Sequence, residues 1–577
     1  MNKKAVAAIL DEIGTLLELK GENPFKARAY QNGARVVKSL QKELPEMVES
    51  GEIKKIKGIG AALAEKIIEL VTTGRLEYYE NLRKAFPESI FELLRIPGLG
   101  SKKIKKLYDD LGIKSVDELE KACFENTIAD IPGFGGKTQA KILENIAFLR
   151  KHGSRHLFSV VHTAAQRIFA LIESHPKVIR AALTGSLRRH RETVKDIDIV
   201  SSARDEDRQE IMDFFTGIDG HQMIIAQGDT KSGVVLKEGV QAELRIVADD
   251  EFPYLMHHST GSKEHNTAMR GYAKRLGLKM NEYGLFRESG ERIDCADERE
   301  IFAALNMKFV EPELREDMGE IEAALSGDLP ELVQKNDIKG ILHTHTTFSD
   351  GANTLEQMAE ACRSLGMQYL GVSDHSQIAV YANGLTPDRL KQQREEIDAL
   401  NERYDDFKIF HGTECDILAD GALDFPDDVL ETLDFVVISV HSKLGMGEKE
   451  ATTRLVKAIQ NPLVHILGHP TGRILLQREG YPLNYSEIFA AAKENDVVIE
   501  INANPRRFDL DWRYARQAKE AGLLLSVNPD AHSVEGLSDT FWGVGIARKG
   551  WLTAVDVLNT KSRGEIEEFF ARKHEQR

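Results

Sequence analysis

Histidine and acidic residues recur through residues 337–577, at the ends of short apolar segments. His343 and His345 come first and lie two positions apart on a segment that reads as a β-strand. Side chains at i and i+2 of a strand share a face, so both imidazoles point to the same side. Imidazole and carboxylate ligands without thiolates suit Zn, Mn or Fe. The candidate metal ligands are His343, His345, Asp350, His375, Glu414, His441, His469, Asp530 and His532.

The number and order of these candidates indicate a site with several metal ions. One ion takes about 4–6 ligands, so nine residues imply two or three ions. A single histidine at a strand end is more often a structural residue, but nine ordered positions favour a shared site over coincidence. His411 and His465 precede better-placed candidates and are interpreted as packing residues, and Cys415 as a core residue.

A second pair of carboxylates lies in the segment 183–200. Gly185 and Ser186 end one apolar segment, where backbone N–H groups and a hydroxyl can hold a triphosphate. Asp196 and Asp198 follow on a predicted strand and share one face. Two adjacent carboxylates favour a divalent cation, and two-metal phosphoryl transfer needs such a clamp. A lone Asp-x-Asp is weak evidence, whereas Gly-Ser followed about ten residues later by Asp-x-Asp is a more specific signature.

Three similar glycine turns occur in the first 150 residues, within 54–67, 95–107 and 130–142. Each is an apolar residue, a Gly-x-Gly turn and the start of an amphipathic helix. Glycine lets a backbone approach a phosphate, and the helix start directs N–H groups and a positive dipole end at it. A plain helix–turn–helix connection is the alternative for any one copy. The candidate glycines for binding a phosphate backbone are Gly58, Gly60, Gly98, Gly100, Gly133 and Gly135.

Hydrophobic periodicity divides the chain into three regions of different character. Residues 1–150 have apolar residues at three- and four-residue spacing, which predicts helices. Strand-like segments appear at 181–187, 196–202 and 242–248, and 311–336 reads as an acidic linker with a short helix. From 337 onward, seven short apolar strands alternate with helical segments. That alternation predicts a parallel sheet or an α/β barrel.

Composition is that of a globular protein with several domains. The chain has 577 residues, with 29% charged and 42% hydrophobic residues, which excludes a largely disordered protein. The net charge is −16, yet residues 1–150 hold 25 Lys and Arg against 22 Asp and Glu. No segment has the apolar length of a membrane span, and no signal peptide is recognised. Four widely spaced cysteines predict no disulfide framework, so we expect a cytoplasmic protein.

The glycine turns resemble the helix-hairpin-helix motifs of family X DNA polymerases, and 183–200 with 260–286 resembles their palm and nucleotide-binding subdomain. The histidine and acid set resembles the PHP (polymerase and histidinol phosphatase) family. Together the resemblance covers essentially the whole chain in the order of bacterial and archaeal PolX proteins. It implies helix-hairpin-helix all-α domains, an α/β nucleotidyltransferase palm and a distorted (β/α)7 barrel. The implied domains are 1–78 (8-kDa, lyase-like), 79–150 (helix-hairpin-helix), 151–258 (palm), 259–317 (nucleotide-binding subdomain), 318–336 (linker) and 337–577 (PHP).

The PHP resemblance implies a trinuclear site that hydrolyses phosphoesters, with up to three Zn, Mn or Fe ions on the nine candidates. Arg473 would bind a substrate phosphate. The palm resemblance implies Mg or Mn on Asp196, Asp198 and Glu243. The residues implied to bind or adjoin the nucleotide are Gly185, Ser186, Arg189, Arg245, Asn266 and Arg270.

The resemblance to the lyase site of family X polymerases falls on Lys66. This lysine would form a Schiff base with an abasic sugar, with Lys26 and Tyr30 in support. The alternative is a solvated helix lysine, since a Schiff-base lysine must first lose its proton.

Four departures from the family pattern surround the palm site. Glu243 stands where the family has an aspartate, and His258-Ser259 where it has Tyr-Phe. His190 and Lys195 replace glycines. We therefore expect an impaired or altered polymerase centre, and an inactive relic that still holds DNA is the alternative.

These observations predict a DNA-repair enzyme that fills gaps and removes nucleotides from 3′ ends. Its partners would be gapped or 3′-ended DNA, bound without sequence preference, and dNTPs, with no membrane and a monomeric state. One alternative keeps only the PHP nuclease active. Another is a phosphatase of small phosphomonoesters, which would have no use for the glycine turns.

Overall fold

The computed structural model describes residues 1, 3–40, 42, 44–94, 96, 99–153 and 155–575. The chain forms two compact units, Met1–Ser154 and Arg155–Arg577. All four cysteines are buried and free, as expected for a chain without a disulfide framework.

Unit 1 is entirely helical in its described part, as the three- and four-residue periodicity predicts. Its helices bury their apolar faces in one core, which includes Leu10, Ile67 and Leu107. The helices are α1 (Lys3–Lys20), α2 (Pro24–Ser39), α3 (Leu44–Glu49), α4 (Ala61–Thr73), α5 (Glu77–Lys84), α6 (Glu88–Leu93), α7 (Ser101–Leu111), α8 (Val116–Phe124) and α9 (Gly135–His152).

Unit 2 begins with a five-stranded mixed sheet in the order β2-β4-β7-β6-β5, beside the short pair β1 and β3. Strands β4 and β7 are parallel, and the other neighbours in the sheet are antiparallel. The elements are β1 (His156–Leu157), α10 (Phe158–Glu173), β2 (Arg180–Leu183), α11 (Gly185–Arg188), β3 (Thr193–Val194), β4 (Asp196–Ser202), α12 (Arg208–Gly217), β5 (His221–Ala226), β6 (Lys231–Leu236) and β7 (Gln241–Val247).

A small subdomain follows, with a three-stranded sheet in the order β10-β9-β8. Its core gathers Tyr254, Phe302 and Leu314 with Leu332. The elements are α13 (Phe252–Thr260), α14 (Lys263–Arg275), β8 (Leu278–Asn281), β9 (Gly284–Arg287), β10 (Arg292–Ile293), α15 (Glu298–Ala304) and α16 (Glu320–Ser326).

The C-terminal part of unit 2 is a seven-stranded parallel barrel. Its strands follow chain order, β11 to β17, and a parallel bridge between Thr344 and Ala531 joins the first strand to the last. The elements are β11 (Gly340–Ile341), α17 (Leu355–Ser364), β12 (Tyr369–Val372), α18 (Pro387–Asn401), β13 (Lys408–Asp416), α19 (Asp427–Leu430), β14 (Phe435–Ser439), α20 (Glu448–Ile459), β15 (Ile466–Leu467), α21 (Tyr485–Glu494), β16 (Val498–Asn502), α22 (Trp512–Glu520), β17 (Leu525–Asn528), α23 (Thr540–Lys549) and α24 (Arg563–Glu575).

The fold class predicted from the sequence is confirmed, including all seven barrel strands. Two local expectations differ from the structure. The strand expected over 181–187 ends at Leu183, because Gly185 adopts φ 65° and begins a helical turn. The acidic segment 311–336 contains the expected short helix, α16, but it packs into the fold instead of forming a free linker, and Arg315 and Glu320 are fully buried. Arg315, Glu316 and Glu320 are paired inside the fold, whereas Glu322, Asp328 and Glu331 are exposed. An acidic composition does not reveal this division.

Candidate functional site

The barrel gathers all nine metal-ligand candidates at the carboxyl ends of its strands. Parallel strands end at one edge, so residues distant in sequence meet there. Asp530 adopts φ 52°, a backbone conformation that non-glycine residues rarely adopt and that concentrates at functional sites. His343, His345 and Asp350 follow β11, His375 follows β12, Glu414 lies near the end of β13, His441 follows β14, His469 follows β15, and Asp530 and His532 follow β17.

Among the described residues, three groups bring ligand atoms within 4.8 Å of one another, and all three lie in the barrel. Glu414 connects the groups, because its carboxylate lies 2.9 Å from His375 Nδ1 and 3.5 Å from His343 Nε2. It also lies 2.9 Å from His469 Nε2, which belongs to none of the three groups. The three groups are His345, Asp350, His375 and His532; His343, His345 and Asp530; and His375, Glu414 and His441.

Buried ligand atoms in this cluster lack hydrogen-bond partners within the described part of the chain. They include His343 Nε2, His345 Nδ1 and His469 Nδ1. An unsatisfied buried nitrogen or oxygen atom costs about 1–3 kcal/mol, so several in one place need an explanation. A bound cation satisfies imidazole and carboxylate lone pairs together, and the residues present therefore fit a multinuclear metal site.

Two further carboxylates orient the histidines, and neither is among the sequence candidates. Glu500 on β16 accepts from His343 Nδ1, at 2.9 and 3.1 Å. Asp416 lies 3.2 Å from His441 Nδ1. A carboxylate on one ring nitrogen fixes the tautomer and directs the other nitrogen toward a metal. Glu500 faces the barrel interior from a strand of mostly apolar residues. An acidic residue within such an apolar strand is the sequence feature that could have pointed to its role.

Arg473, expected to bind a substrate phosphate, is instead bound within the fold. Its guanidinium donates to the Arg507 and Phe508 carbonyls and to Asp511. Arg507 lies closer to the ligands, with Nε 3.6 Å from Asp530 Oδ2. The arginine that faces the cluster is therefore Arg507, and Arg473 holds the segment that carries it.

The palm carboxylates lie on neighbouring strands. Asp198 of β4 pairs in register with Glu243 of β7, and Asp196 lies two residues earlier on the same face. A Cβ at Gly185 would lie 2.0 Å from Asp198 Oδ2, so only glycine fits beside this carboxylate. Burial, together with the charges of Asp196 and Glu243, raises the pKa of Asp198 to about 7. A divalent cation would relieve this repulsion.

Glu243 makes contacts that an aspartate at this position would reach less easily. Its Oε2 lies 2.7 Å from Lys231 Nζ, and its Oε1 lies 3.7 Å from Arg245 Nε. Lys231 and Arg245 are partners in register on β6 and β7. The extra methylene of Glu243 is therefore matched by a basic neighbour on the adjacent strand.

Three of the expected nucleotide-binding side chains, Asn266, Arg270 and Arg189, contact residues of α13. The Asn266 amide donates to the His258 carbonyl at 2.8 Å, and Arg270 lies 2.8 Å from His258 Nδ1. Arg189 donates to Glu316 at 3.1 Å and to the Thr260 carbonyl. These contacts hold Arg189 beside α11, the helical turn that carries Ser186.

His190 has a packing role that explains its departure from glycine. Its ring stacks on Phe158, with centroids 4.8 Å apart. A Cβ at Gly545 of α23 would lie 2.0 Å from His190 Nδ1, so the helix passes directly against this ring. Burial lowers the pKa of His190 to about 4, which keeps it neutral. His190 therefore joins the palm to the barrel, whereas Lys195 is simply exposed.

The glycine turns in unit 1 leave open space at their helix starts. Gly60 and Gly100 precede α4 and α7 with φ near −75°, and no heavy atom lies within 4 Å of a Cβ built on either. Gly58 and Gly133 adopt φ 94°, and Gly135 adopts φ 57°, which favours glycine. Gly98 lies outside the described residues.

Lys66 lines a cavity of about 490 Å³ with Lys26, Tyr30, Gly58 and Tyr78 among its walls. Lys66 Nζ lies 5.0 Å from the centroid of the Tyr78 ring, and Tyr30 stacks on Tyr78. Tyr78 is a residue that the sequence analysis missed, because it is brought to the cavity from α5 by helix packing.

Four family models match parts of the chain. They are described as a helix-hairpin-helix domain over residues 1–76, a SAM-like helix-hairpin-helix tandem over 90–147, a DNA polymerase beta thumb over 255–316 and a PHP domain over 342–504. Within the described part of the chain, no helix combines the length and apolar character that a membrane crossing requires.

One curated relative matches nearly the whole chain. It is the "DNA polymerase/3'-5' exonuclease PolX" of Bacillus subtilis (strain 168), 39% identical over 575 residues, which cover 99% of this chain and 100% of that protein. "Probable phosphatase" relatives match a smaller part. That of Thermoanaerobacter sp. (strain X514) is 29% identical over 40% of this chain and 94% of its own length. That of Clostridium acetobutylicum is 29% identical over 33% of this chain and 78% of its own length.

Proposed function

This chain belongs to the PolX family of DNA polymerases with a 3′–5′ exonuclease, and from that membership we propose how its residues divide the two activities. The protein is a DNA polymerase and a 3′–5′ exonuclease. The barrel carries the exonuclease and the palm the polymerase. The observation that carries this division is the gathering of eight imidazoles and carboxylates in three close groups at one end of the barrel, with His469 beside Glu414 as the ninth and several buried atoms without hydrogen-bond partners.

In the exonuclease, His343, His345, Asp350, His375, Glu414, His441, His469, Asp530 and His532 hold up to three Zn, Mn or Fe ions. When bound, such ions polarise a phosphoryl oxygen and lower the pKa of water. Glu500 and Asp416 keep their histidines in the tautomer that presents a lone pair to the site. Arg507 supplies positive charge beside Asp530 for the phosphodiester that is cleaved.

In the polymerase, Asp196, Asp198 and Glu243 hold Mg or Mn. Gly185, Ser186 and Arg189 receive the triphosphate of a dNTP, and Arg245, Asn266 and Arg270 adjoin the nucleotide. The packing of His190 against the barrel removes one of the four reasons to expect impairment. Glu243 and Ser259 remain reasons to expect slower insertion and weaker exclusion of ribonucleotides.

In unit 1, the turns at Gly58, Gly60, Gly98, Gly100, Gly133 and Gly135 bind the DNA backbone without reading sequence. The domain boundaries remain those proposed from the sequence, 1–78, 79–150, 151–258, 259–317, 318–336 and 337–577.

The substrates are gapped or 3′-ended DNA and dNTPs. We further infer a monomer that acts in the cytoplasm, where a repair polymerase meets these substrates.

A second activity is favoured by the cavity at Lys66. Its Nζ lies beside the Tyr78 ring in a space large enough for a sugar phosphate. We propose that Lys66 forms a Schiff base with the aldehyde of an abasic sugar. Borohydride should trap a covalent protein–DNA adduct, which Lys66→Ala abolishes and Lys54→Ala, on the same unit, preserves. Equal trapping by Lys66→Ala would overturn this assignment.

The division of activities is tested on gapped DNA with a labelled primer and Mn²⁺. With dNTPs the primer should lengthen, and without them it should shorten from the 3′ end. A phosphatase of small substrates would leave the primer unchanged in both reactions. Shortening without any lengthening would identify the PHP nuclease as the only active half.

A further inference from the structure

The segment that follows His375 presents apolar side chains beside the metal-ligand cluster. This segment, residues 376–384, is named the Tyr381 loop. Ile378 is 52% exposed, Val380 82% and Tyr381 72%. The Tyr381 ring centroid lies 6.2 Å from that of His375. Single exposed apolar residues need no explanation, but a group of three beside a catalytic cluster indicates a contact surface.

The Tyr381 loop is braced, so its exposed side chains are held outward by the fold. Ala379 and Ala382, which flank the two most exposed residues, are each only 1% exposed. Arg389 of α18 donates to the Asn383 carbonyl at 2.8 Å. Asn383 adopts φ 55°, and its amide donates to the Phe348 carbonyl at 3.1 Å. The loop therefore holds Val380 and Tyr381 in a fixed direction before a ligand binds. Binding then costs little conformational entropy of the loop.

The position of the loop defines what can occupy it. His375 belongs to the proposed metal site, so a phosphodiester held there has its attached nucleoside within reach of the Tyr381 ring. Every nucleobase has an aromatic face, and base–aromatic stacking is tolerant of sequence. An aromatic ring at the site thus matches an exonuclease that removes any nucleotide. The phosphate is negatively charged, and Arg507, beside Asp530, supplies a positive charge for it.

We propose that the Tyr381 loop is the subsite for the 3′-terminal nucleotide, with Tyr381 stacked on its base and Val380 packed against the same nucleoside. The proposal rests on the exonuclease assignment above and adds the residues that hold the strand end. It explains why large apolar side chains are kept in solvent at the mouth of a charged site.

The test compares two single-stranded oligonucleotides in the full-length protein with Mn²⁺. One ends in an ordinary nucleotide, and the other ends in a tetrahydrofuran residue that lacks a base and cannot form a Schiff base. Tyr381→Ala should raise the KM for the ordinary 3′ end by roughly five- to a hundredfold, the range that base–aromatic stacking implies. The same variant should leave the KM for the baseless end unchanged. Tyr381→Phe should behave as the wild type, because stacking needs the ring and not the hydroxyl.

Tyr283→Ala is the matched control, since Tyr283 is an exposed tyrosine of the small subdomain, 52% exposed and outside the barrel. It should leave both KM values unchanged. An equal loss by Tyr381→Ala on both substrates, or no loss on either, would overturn the subsite. A wild-type protein that shortens neither oligonucleotide would instead overturn the exonuclease assignment itself, so the two failures are distinguishable.

Discussion

Glu500 shows how one side chain acts on the metal site without being a candidate ligand. It is fully buried on β16 and holds His343 through both carboxylate oxygens. Burial raises the pKa of Glu500 to about 7, and the His343 contact opposes that rise. The contact with His343 therefore favours the ionised form of Glu500, and Glu500 in turn holds the His343 ring. Its contribution to the site is the orientation of the His343 ring.

Glu500→Gln should weaken metal binding roughly 10- to 100-fold, which is typical when an outer carboxylate is removed. The amide keeps the shape of the side chain but cannot bind the imidazole N–H as strongly. The measurement is metal content after dialysis against graded chelator, together with the exonuclease rate at several Mn²⁺ concentrations. Glu494→Gln, on the exposed side of α21, is the control and should match the wild type. Unchanged chelator sensitivity in Glu500→Gln would refute the positioning role.

Ser259→Phe should improve the selection of deoxyribonucleotides by the palm. Ser259 stands where family X polymerases have a ring that packs beneath the sugar, so a 2′-hydroxyl meets little obstruction here. The ratio of dNTP to rNTP insertion should therefore rise in the variant, measured by primer extension with the exonuclease disabled. If the unmodified protein already excludes ribonucleotides, the departure at Ser259 is compensated elsewhere and this interpretation is wrong.

Helix starts and strand ends carry the candidate functional groups of this protein. Hairpin glycines fall into two kinds. Gly58 and Gly133 need glycine for their backbone, whereas Gly60 and Gly100 have ordinary φ values and open space at Cβ. The glycines at 60 and 100 are therefore not required by the fold. We propose that a DNA phosphate approaches each helix start closely, which would account for the absence of a side chain there.

Gly60→Leu with Gly100→Leu should weaken DNA binding to all sequences alike without lowering the melting temperature. The added side chains block the backbone N–H groups from phosphates, and the salt dependence of binding should become shallower as phosphate contacts are lost. Fluorescence anisotropy with two unrelated duplexes over a salt series measures both effects. Gly217→Leu, at an open position of the palm, is the control. Unchanged affinity, or a loss confined to one duplex, would count against the hairpin assignment.

The elements were more predictable from the sequence than their contacts. Seven alternating βα units and strand-end histidines define the barrel and its ligand edge, because periodicity and position along a strand are local properties. Glu500 and Tyr78 were missed because their roles depend on packing between elements distant in sequence. His190 was interpreted from family pattern alone, and its contact with α23 could not be read from neighbouring residues. Arg473 was misassigned because its partners come from the segment 507–511.

At the scale of the whole molecule, the palm and barrel of unit 2 share buried polar contacts. Lys549 of α23 is fully buried and donates to Glu316, to the Arg189 carbonyl and to the Glu313 carbonyl. Glu316 in turn binds Arg189 and Arg191. Arg189, a candidate for triphosphate binding, is thus connected to the barrel helix α23 through Glu316. The arrangement fixes the two active centres within a single folded body.

Lys549→Met should lower the free energy of unfolding of unit 2 by about 1–3 kcal/mol, because two buried carbonyls and a carboxylate lose a donor. The full-length protein is unfolded in urea and followed by tryptophan fluorescence, since Trp512 lies 4.5 Å from Lys549 Nζ. Lys391→Met is the control, with a side chain 78% exposed. Equal unfolding midpoints for Lys549→Met and the wild type would contradict a structural role for this network.

We assign the exonuclease to the barrel cluster and the polymerase to the palm. The most direct measurement uses the double variant His343→Ala with His345→Ala on gapped DNA, with and without dNTPs, alongside a DNA-binding isotherm. This assignment predicts loss of 3′ shortening and of barrel-bound metal, while primer extension and DNA affinity persist. Undiminished shortening in the double variant, or the joint loss of shortening and extension in a protein that still folds and binds DNA, would contradict it.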